Sequence, residues 1–266
     1  MKIHWLYGPS AEERGWFPLP SYLLRRHRLM RLLRRIPPGR LLEIGCGAGT
    51  LLYELSRMGF TCSALETSDQ ARGVAKHVNH DNPKVDIFHQ PQQKWLGEFD
   101  YIIALEVLEH IEKDEVALRQ WSSWLCPSGA LFVSVPAGMS RWTESDIWAG
   151  HFRRYEKAGL IELLQRVGFL ILGFESYGFP LANLVEPIRA RYHGKQLENE
   201  RDSQPQILSR KSRNDRSGVD RSLSVFVYRL MSCFPIAVVM FFFLQLQGLF
   251  VHTDLGAGYL VHMRRK

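Results

Sequence analysis

The residues best suited to chemistry are three glycines in the stretch LLEIGCGAGTLL, residues 41–52. Gly45, Gly47 and Gly49 follow a short apolar run typical of a strand and precede a segment with helical spacing. In such a turn, glycines let the backbone bend tightly and approach a ligand without interference from a Cβ atom. Many strand-to-helix turns carry glycine for packing alone, so the loop by itself indicates a binding site only weakly.

Acidic residues on either side of the loop narrow the class of ligand. The carboxylate of Glu43 suits a ligand with an ammonium group better than a pyrophosphate, which it would repel. The dinucleotide fingerprint is not matched, because its third glycine would fall at Thr50. Glu66 ends the next predicted strand, where an acid is expected to accept hydrogen bonds from ribose hydroxyls. Taken alone, Glu66 is also typical of a carboxylate near the start of a helix.

Strand-like and helix-like segments alternate along the chain from residue 40 to residue 174. The predicted strands are residues 40–45, 60–66, 84–88, 101–105, 130–135 and 169–174, and the predicted helices are residues 50–58, 70–79, 114–125 and 157–167. This alternation is typical of βαβ units, so the sequence predicts an α/β fold with a parallel sheet covered on both faces. A last strand is predicted at residues 257–264, after a glycine-rich entry.

Composition excludes several classes of protein. Of the 266 residues, 45% are hydrophobic and 23% are charged, which excludes collagen, a pure coiled coil and a wholly disordered chain. Four scattered cysteines without a CxxC motif argue against a disulfide scaffold, a zinc ribbon and a thioredoxin-type site. The first residues lack the uninterrupted apolar stretch of a secretory signal, so the sequence predicts a cytoplasmic protein.

The positive charge is concentrated in one predicted helix. The net charge is +7, and seven arginines lie from Arg25 to Arg40 without an acid among them. Apolar residues recur between them at helical spacing, which predicts a basic amphipathic helix in the N-terminal segment 1–39. Three interpretations remain open: packing on the domain with a solvated arginine face, contact with anionic lipid, or contact with nucleic acid. Nucleic acid is the least favoured partner, because no aromatic-rich binding module accompanies the helix.

Two stretches near the C-terminus depart from the alternation. Residues 194–221 are polar and charged without aromatic side chains, which predicts a flexible linker. Residues 222–251 are predicted to be an apolar helical stretch, with a run of roughly 18 residues at the lower limit for a membrane span. This stretch is consistent with a helix or helical hairpin in the membrane interface, a helix packed on the domain or on a second subunit, or a true span.

The motifs taken together resemble those of a known family. The chain contains E-x-G-C-G-x-G, the acid Glu66, F-D-x-I-x-x-x-E-V-L-E-H-I at residues 99–111 and L-x-P-x-G-x-L-x-x-x-x-P at residues 125–136. These motifs resemble the class I S-adenosylmethionine-dependent methyltransferases. Within that family, the chain is most similar to the broad group that contains the ubiquinone-biosynthesis O-methyltransferases. The resemblance covers about residues 18–174 and 256–264.

This resemblance implies a Rossmann-like, doubly wound sheet of seven mostly parallel strands. The last strand would be antiparallel and would lie between the fifth and the sixth. The core that binds S-adenosylmethionine would then comprise residues 40–176, with its final strand in residues 255–266. Residues 177–254 would be an insertion that contains the linker 194–221 and the apolar stretch 222–251. Family members normally join these last two strands by a short hairpin.

The resemblance also implies the cofactor S-adenosylmethionine and its contacts. Glu66 would hold the ribose, Thr67 would lie beside the adenine, and Gln90 stands where many members have an acid for the adenine amine. Glu106 would lie where methyl donor and acceptor meet, or would be a carboxylate at the start of a helix. The predicted cofactor-binding residues are Glu43, Gly45, Cys46, Gly47, Gly49, Glu66, Thr67, Gln90 and Glu106.

Two histidines are candidates for the chemistry that this cofactor supports. Methyl transfer from a sulfonium is an in-line displacement, in which the protein mainly aligns donor and acceptor. An oxygen acceptor must also lose its proton, and His110 and His151 are the candidate bases unless their role is structural. Glu144, Asp146 and His151 are close in sequence but lack a spacing that demands a metal, so no metal site is predicted.

The sequence thus predicts an S-adenosylmethionine-dependent methyltransferase for a small-molecule or lipid-soluble acceptor, with transfer to oxygen or carbon. The arginine helix and the apolar stretch would give two weak contacts with the inner face of an anionic membrane, enough for peripheral attachment. Two other functions stay open: methylation of RNA or protein, and a non-catalytic relative that binds the cofactor as an assembly subunit. The oligomeric state is not predicted.

Overall fold

A computed structural model describes residues 1–203, 212–213 and 225–266 of the chain. The strands are β1 Lys2–His4, β2 Gly8–Ser10, β3 Arg40–Ile44, β4 Thr61–Leu65, β5 Val85–Phe88, β6 Phe99–Leu105, β7 Leu125–Pro136, β8 Phe169–Tyr177 and β9 Gly258–Arg265. The helices are α1 Pro20–Leu33, α2 Thr50–Arg57, α3 Asp69–Val78, α4 Asp114–Trp124, α5 Glu144–Ala149, α6 Lys157–Val167, α7 Leu181–Ser203, α8 Val225–Met231 and α9 Phe234–Leu246.

Seven of these strands form one sheet, in the order β5-β4-β3-β6-β7-β9-β8. The pairs from β5 to β7 are parallel, whereas β9 runs antiparallel to both of its neighbours, β7 and β8. This confirms the predicted doubly wound sheet, with its last strand antiparallel between the fifth and the sixth. Because β3 and β6 are adjacent central strands, the loops that follow them open at the same edge of the sheet.

Helices cover both faces of the sheet, and β7 shows how its residues divide between them. Leu131 and Val133 pack into the core on the side of α4 and α6, whereas Phe132 packs into the core on the side of α1 and α2. Successive side chains of a strand point to opposite faces, so a strand covered on both sides needs an unbroken apolar run. All three side chains are fully buried, which explains the apolar run at residues 130–135 of the sequence.

Helix α1 packs against the domain, but its arginine face is only partly solvated. Arg26 donates from Nε to Glu54 at 2.6 Å, and Arg28 donates from Nε to Glu175 at 2.8 Å. The side chain of Arg25 is mostly buried as well. Only the C-terminal end of the helix and the residues just after it present arginines to solvent, at positions 31, 34 and 35. The interpretation that the arginine face of α1 is solvated is therefore wrong for the first half of this helix.

The predicted linker is corrected at its start. Residues 194–203 are not a flexible connection but the second half of α7. Their Lys, Gln, Leu and Glu side chains favour a helix, and Leu197 and Ala190 are buried along it. The sequence argument weighed polarity and overlooked this helix propensity. The remainder of the predicted linker, apart from residues 212–213, lies outside the described residues.

Helices α8 and α9 pack against the N-terminal part of the chain. Tyr228 of α8 and Met240 and Leu244 of α9 form one buried cluster with Leu23 and Leu24 of α1. Pro235 lies in the first turn of α9, where its missing N–H costs no helical hydrogen bond. Among the described residues, no helix combines the length and the apolar character needed to cross a membrane.

Candidate active site

The glycine loop connects β3 to α2 and is held to the next strand by a carboxylate. Gly45, Gly47 and Gly49 all have positive φ, at 69°, 54° and 68°. The backbone N–H groups of Gly47 and Ser68 donate to the two oxygens of Glu66, at 2.8 and 2.9 Å. The carboxylate therefore fixes the loop, and it lines the same cavity as the loop.

Glu43 lies under the loop with one oxygen unsatisfied. The residue is 4% exposed, and its Oε2 has no hydrogen-bond partner among the described residues. Burial and the neighbouring Glu66 carboxylate raise the pKa of Glu43 well above its usual value, against the opposing effect of Arg25. A buried acceptor of this kind is costly unless a donor reaches it, and a ligand ammonium group would supply one.

The structure brings seven of the nine predicted cofactor-binding residues to one cavity, whose lining includes Glu43, Gly45, Cys46, Gly47, Glu66, Thr67 and Glu106. Gly49 is not part of the lining and lies directly before α2. Gln90 is exposed and is not part of the lining, whereas the next residue, Pro91, is. The adenine contact of Gln90 therefore stays a prediction.

Glu106 directly follows β6. Sequence reasoning identified none of its partners. Its Oε1 accepts hydrogen bonds from the hydroxyls of Ser134 at 2.8 Å and Tyr177 at 2.7 Å. Its Oε2 lies 3.9 Å from Nη1 of Arg25. The residue has a φ of 54°, which is uncommon for a side chain other than glycine and is typical of functional sites. The partners come from β7, β8 and α1, so no local sequence signal could have found them.

A second group of ionisable side chains lies at the same cavity, which His110 and His151 line while Glu109 is buried behind them. Glu109 and His110 belong to a single 3-10 turn after β6, and His151 follows α5. The backbone N–H of Phe152 donates to the carbonyl oxygen of Glu109 at 2.8 Å, which holds the two segments together. The rings of His110 and His151 lie 4.7 Å apart, edge to face. The two predicted bases are thus direct neighbours.

Burial governs the protonation of this group. It raises the pKa of Glu109 well above its usual value, with a further contribution from the carboxylate of Glu106. Burial and the adjacent His151 lower the pKa of His110 to about 3. At neutral pH, His110 is therefore uncharged, and in the protein by itself the buried Glu109 favours its protonated form.

Asp146 orients His151 and lines the same cavity. Its Oδ1 lies 2.8 Å from Nδ1 of His151, and Arg154 donates to both of its oxygens, at 2.8 and 2.7 Å. Thr143 caps α5 and completes a capping box with Asp146. These contacts lower the pKa of Asp146 although burial opposes them. An ionised Asp146 makes Nδ1 the protonated nitrogen of His151 and leaves Nε2 as a lone-pair donor.

The cavity that joins these groups has a volume of about 1560 Å³. This exceeds the range of about 300–1,000 Å³ that is usual for a site with one small ligand. The glycine loop lines it, and so do side chains of α1, α5 and α7, among them Tyr22, Trp148 and Ile188. The cavity is therefore large enough for two molecules side by side.

Comparison with known proteins decides which family this site belongs to. A family profile described as "Methyltransferase domain" matches residues 21–172, more than half of the chain. The chain belongs to this methyltransferase family. The methyltransferase is 31% identical over 100 residues to a ubiquinone biosynthesis O-methyltransferase of Aromatoleum aromaticum, a match that covers 36% of this chain and 43% of the relative. The chain spans about half the length of the curated relatives that it matches, or less.

Solved structures of methyltransferases share the fold. An S-adenosylmethionine-dependent methyltransferase from Mesorhizobium loti matches with a TM-score of 0.53 and 13% identity, over 93% of this chain and 98% of its own. Phosphoethanolamine N-methyltransferase 2 of Haemonchus contortus, solved in complex with S-adenosyl-L-methionine, matches with a TM-score of 0.53 and 15% identity, over 90% of this chain and 52% of its own. At these identities the likeness shows the fold alone.

S-adenosylmethionine is the cofactor of this class I enzyme, and the residues present fit it. The cofactor supplies a methyl group bound to a positively charged sulfur. The unsatisfied oxygen of Glu43 can accept from the ammonium group, and Glu66 can accept from the ribose. A Cβ atom at Gly45 would lie 2.6 Å from Cγ2 of Val107, so a larger residue at this position would clash with Val107 beside the loop.

Proposed function

We propose that this methyltransferase transfers the methyl group of S-adenosylmethionine to a hydroxyl oxygen of a lipid-soluble small molecule. The observation that carries the proposal is a single cavity lined both by the glycine loop and by residues of α7, of which Ile188 and Tyr192 are exposed at its mouth. The ionisable side chains Glu106, His110 and His151 line the same cavity. Donor, acceptor and the groups that handle the acceptor proton can therefore meet in one cavity.

The mouth of the cavity favours an apolar acceptor. Ile188 lines the cavity although 69% of the residue is exposed, and Tyr192 does so at 42% exposure. Both belong to α7, which crosses the entrance. An exposed isoleucine at an entrance costs solvation free energy unless an apolar molecule covers it. A hydrophobic acceptor gains binding free energy from this surface, whereas a charged water-soluble one does not.

Further exposed apolar side chains lie on α7 and on two helices that pack with it against α1. We define the apolar surface as the exposed side chains Leu184, Ile188, Leu230, Phe234, Val239 and Phe242. They lie on α7, α8 and α9, whose inner faces share one buried cluster with α1. We propose that this surface rests on a membrane from which the acceptor enters. The segment between β8 and β9 would then be an insertion that serves acceptor delivery.

Basic residues lie beside the apolar surface. Nε2 of His27 on α1 lies 3.4 Å from Nε2 of Gln245 on α9, so the two helices meet there. Arg31, Arg34 and Arg35 follow His27 at helical spacings of four, seven and eight residues, and all three are exposed. Apolar contact combined with attraction to anionic headgroups is what reversible attachment to a bilayer requires.

The relatives support oxygen as the accepting atom, since they are named O-methyltransferases. In the reaction, the bond from the methyl carbon to sulfur breaks while the bond to the acceptor oxygen forms. Water must be kept out, and the donor and acceptor must lie in line, which the enclosed cavity favours. The acceptor proton is lost beside His110 and His151, the pair predicted from the sequence.

The proposal is tested with methyl-labelled S-adenosylmethionine and two phenols that differ only in an isoprenoid tail. The tailed phenol is presented in anionic vesicles, and the tail-less phenol is dissolved in the same buffer. We expect labelled methyl ether from the tailed phenol at a much higher kcat/KM, and none with Gly47→Val. Transfer to host RNA or protein alone, or equal transfer to both phenols, would overturn the lipid-soluble assignment.

A further inference from the structure

Helices α5 and α7 pack side by side, and residues of both line the cavity. The ring of Trp148 on α5 stacks on that of His193 on α7, with centroids 4.2 Å apart. Thr143, which caps α5, donates from its hydroxyl to Glu186 of α7 at 2.8 Å. The lining residues of α7 lie between residues 182 and 196. We call the part of the cavity between α5 and these residues the α7 groove.

Three polar atoms of α7 are buried at this groove without a hydrogen-bond partner. They are Oδ1 of Asn183, Nε of Arg189 and Oε1 of Gln196, none of which has a partner in the part of the chain that the structure describes. All three residues line the cavity. Buried polar atoms are costly unless a ligand or water reaches them. A hydroxyl group suits all three, because it donates through its hydrogen and accepts through its oxygen.

These three atoms are spread along the helix. At a rise of 1.5 Å per residue, the backbone positions of Asn183 and Gln196 are about 20 Å apart, with Arg189 near the middle. A single phenol ring cannot reach all of them. A ligand that satisfies them must carry several hydroxyl groups along its length, as a sugar of two or more units does.

The charges of the groove are already balanced. Nη2 of Arg189 lies 2.5 Å from a carboxylate oxygen of Glu186, and Nη2 of Arg154 lies 2.7 Å from one of Asp146. Each of these two guanidinium groups thus has a carboxylate beside it, and a phosphate or sulfate bound there would be repelled by that carboxylate. A neutral ligand avoids this repulsion. The groove therefore favours hydroxyl groups over an anionic headgroup.

The same helix also carries exposed apolar side chains. Leu184 and Ile188 are 65% and 69% exposed, and they belong to the apolar surface that is proposed to rest on a membrane. An amphiphile with a sugar head and a hydrocarbon tail matches both features of α7. We propose that the methyl acceptor is a neutral glycolipid, whose sugar lies in the α7 groove while its hydrocarbon part stays at the apolar surface. This inference rests on the proposed function and specifies its acceptor.

The inference is tested by binding, which requires no methyl transfer. The full-length protein is titrated by calorimetry with dodecyl maltoside and with dodecyl octaethylene glycol ether, each below its micelle-forming concentration. The two uncharged probes share one tail, and only the maltoside carries a sugar. We expect the maltoside to bind at least about tenfold more tightly, because only its hydroxyl groups can both donate and accept along the groove.

Two substitutions locate the binding. Gln196→Leu and Arg189→Met should each weaken maltoside binding by about fivefold and leave binding of the ether unchanged. The matched control is Arg191→Met, because Arg191 is exposed on the same helix and is not part of the cavity lining. Since Arg189→Met also removes a partner of Glu186, Gln196→Leu decides alone if the arginine variant is unfolded.

The outcomes separate this inference from the proposed function. Equal affinity for the two probes, or maltoside binding unchanged in both groove variants, would overturn the glycolipid, and methylation of the tailed phenol would then still support the proposed function. Tighter binding of dodecyl phosphate than of the maltoside would overturn it in favour of an anionic headgroup. If the maltoside binds selectively while labelled methyl groups reach only RNA or protein, the groove binds sugar and the proposed function is wrong.

Discussion

The carboxylate of Glu66 accepts a hydrogen bond of 2.8 Å from the backbone N–H of Gly47. This contact joins the end of β4 to the loop that follows β3, across two adjacent parallel strands. The residue that is to hold the ribose therefore also shapes the loop that is to hold the amino acid. The two halves of the cofactor site are coupled through one side chain.

We expect Gly47→Val and Glu66→Ala each to weaken S-adenosylmethionine binding at least about tenfold. Gly47 has a φ of 54°, which a β-branched residue adopts only with strain, and Glu66→Ala removes both the loop contact and the ribose acceptor. Calorimetry measures the affinities. Gly73→Ala is the control, because Gly73 lies exposed on α3 where an added Cβ meets nothing within 4 Å. Wild-type affinity in both loop variants would reject the cofactor site.

The buried ion pair between Arg28 and Glu175 should be important for stability. Their side chains are 7% and 16% exposed, and the bond spans from α1 to β8. We expect Arg28→Met to lower the free energy of unfolding by about 3 kcal/mol, because it leaves the largely buried carboxylate of Glu175 without its partner. Urea unfolding measures the change.

An exposed pair of the same type provides the comparison. Arg119 and Glu115 on α4 form an ion pair in which Arg119 is 53% exposed. Arg119→Met should change the free energy of unfolding by no more than about 0.5 kcal/mol, since solvent screens the pair. Equal effects of Arg28→Met and Arg119→Met would show that burial does not strengthen the first pair.

His27 should make the protein less stable in mild acid. Burial and the neighbouring arginines, with Arg28 first, lower the pKa of His27 to about 4 in the folded protein. The unfolded chain, with a pKa near 6.5, binds the proton first, so stability falls as the pH drops from about 6.5 towards 4. Between about pH 7 and about pH 5, the free energy of unfolding should fall less in His27→Gln than in the wild type. The difference between the two falls should be on the order of 1–2 kcal/mol. Parallel pH dependences of unfolding in the two proteins would contradict this.

The apolar surface should be required for attachment to lipid. We expect Phe234→Ser combined with Phe242→Ser to abolish flotation with anionic vesicles, because both side chains are mostly exposed and buried contacts are left intact. Arg34→Glu with Arg35→Glu should weaken flotation in a salt-dependent manner. The control is Leu96→Ser, which removes an equally exposed apolar side chain on another part of the chain. Flotation of the phenylalanine double variant at the wild-type level would remove α9 from the proposed surface.

Local patterns were sufficient to predict the glycine loop and the acid that contacts it. The glycine loop and Glu66 are each specified by a few consecutive residues, and the alternation of strands and helices placed them at one edge of a sheet. Gln90 was chosen by its position after a strand, yet the side chain is exposed, because the direction of a loop residue is not fixed by its distance from the strand.

The contacts around Glu106 and the two histidines could not be predicted in the same way. Glu109 and His151 are far apart in sequence and meet only because the backbone of Phe152 bonds to the turn after β6. Tyr177 and Arg25 reach the cavity from β8 and α1, which no spacing rule connects to Glu106.

The position of β9 has a consequence for how the chain is made. This strand pairs with β8 from Gly258 to Arg265 and with β7 from Gly258 to Arg264, although it is translated after α7, α8 and α9. During synthesis on the ribosome, the edges of β7 and β8 that later pair with β9 have no partner strand until roughly 80 further residues have been added. One of those edges carries the apolar run of β7, so a nascent chain at this stage is prone to aggregate and is a natural client for a chaperone.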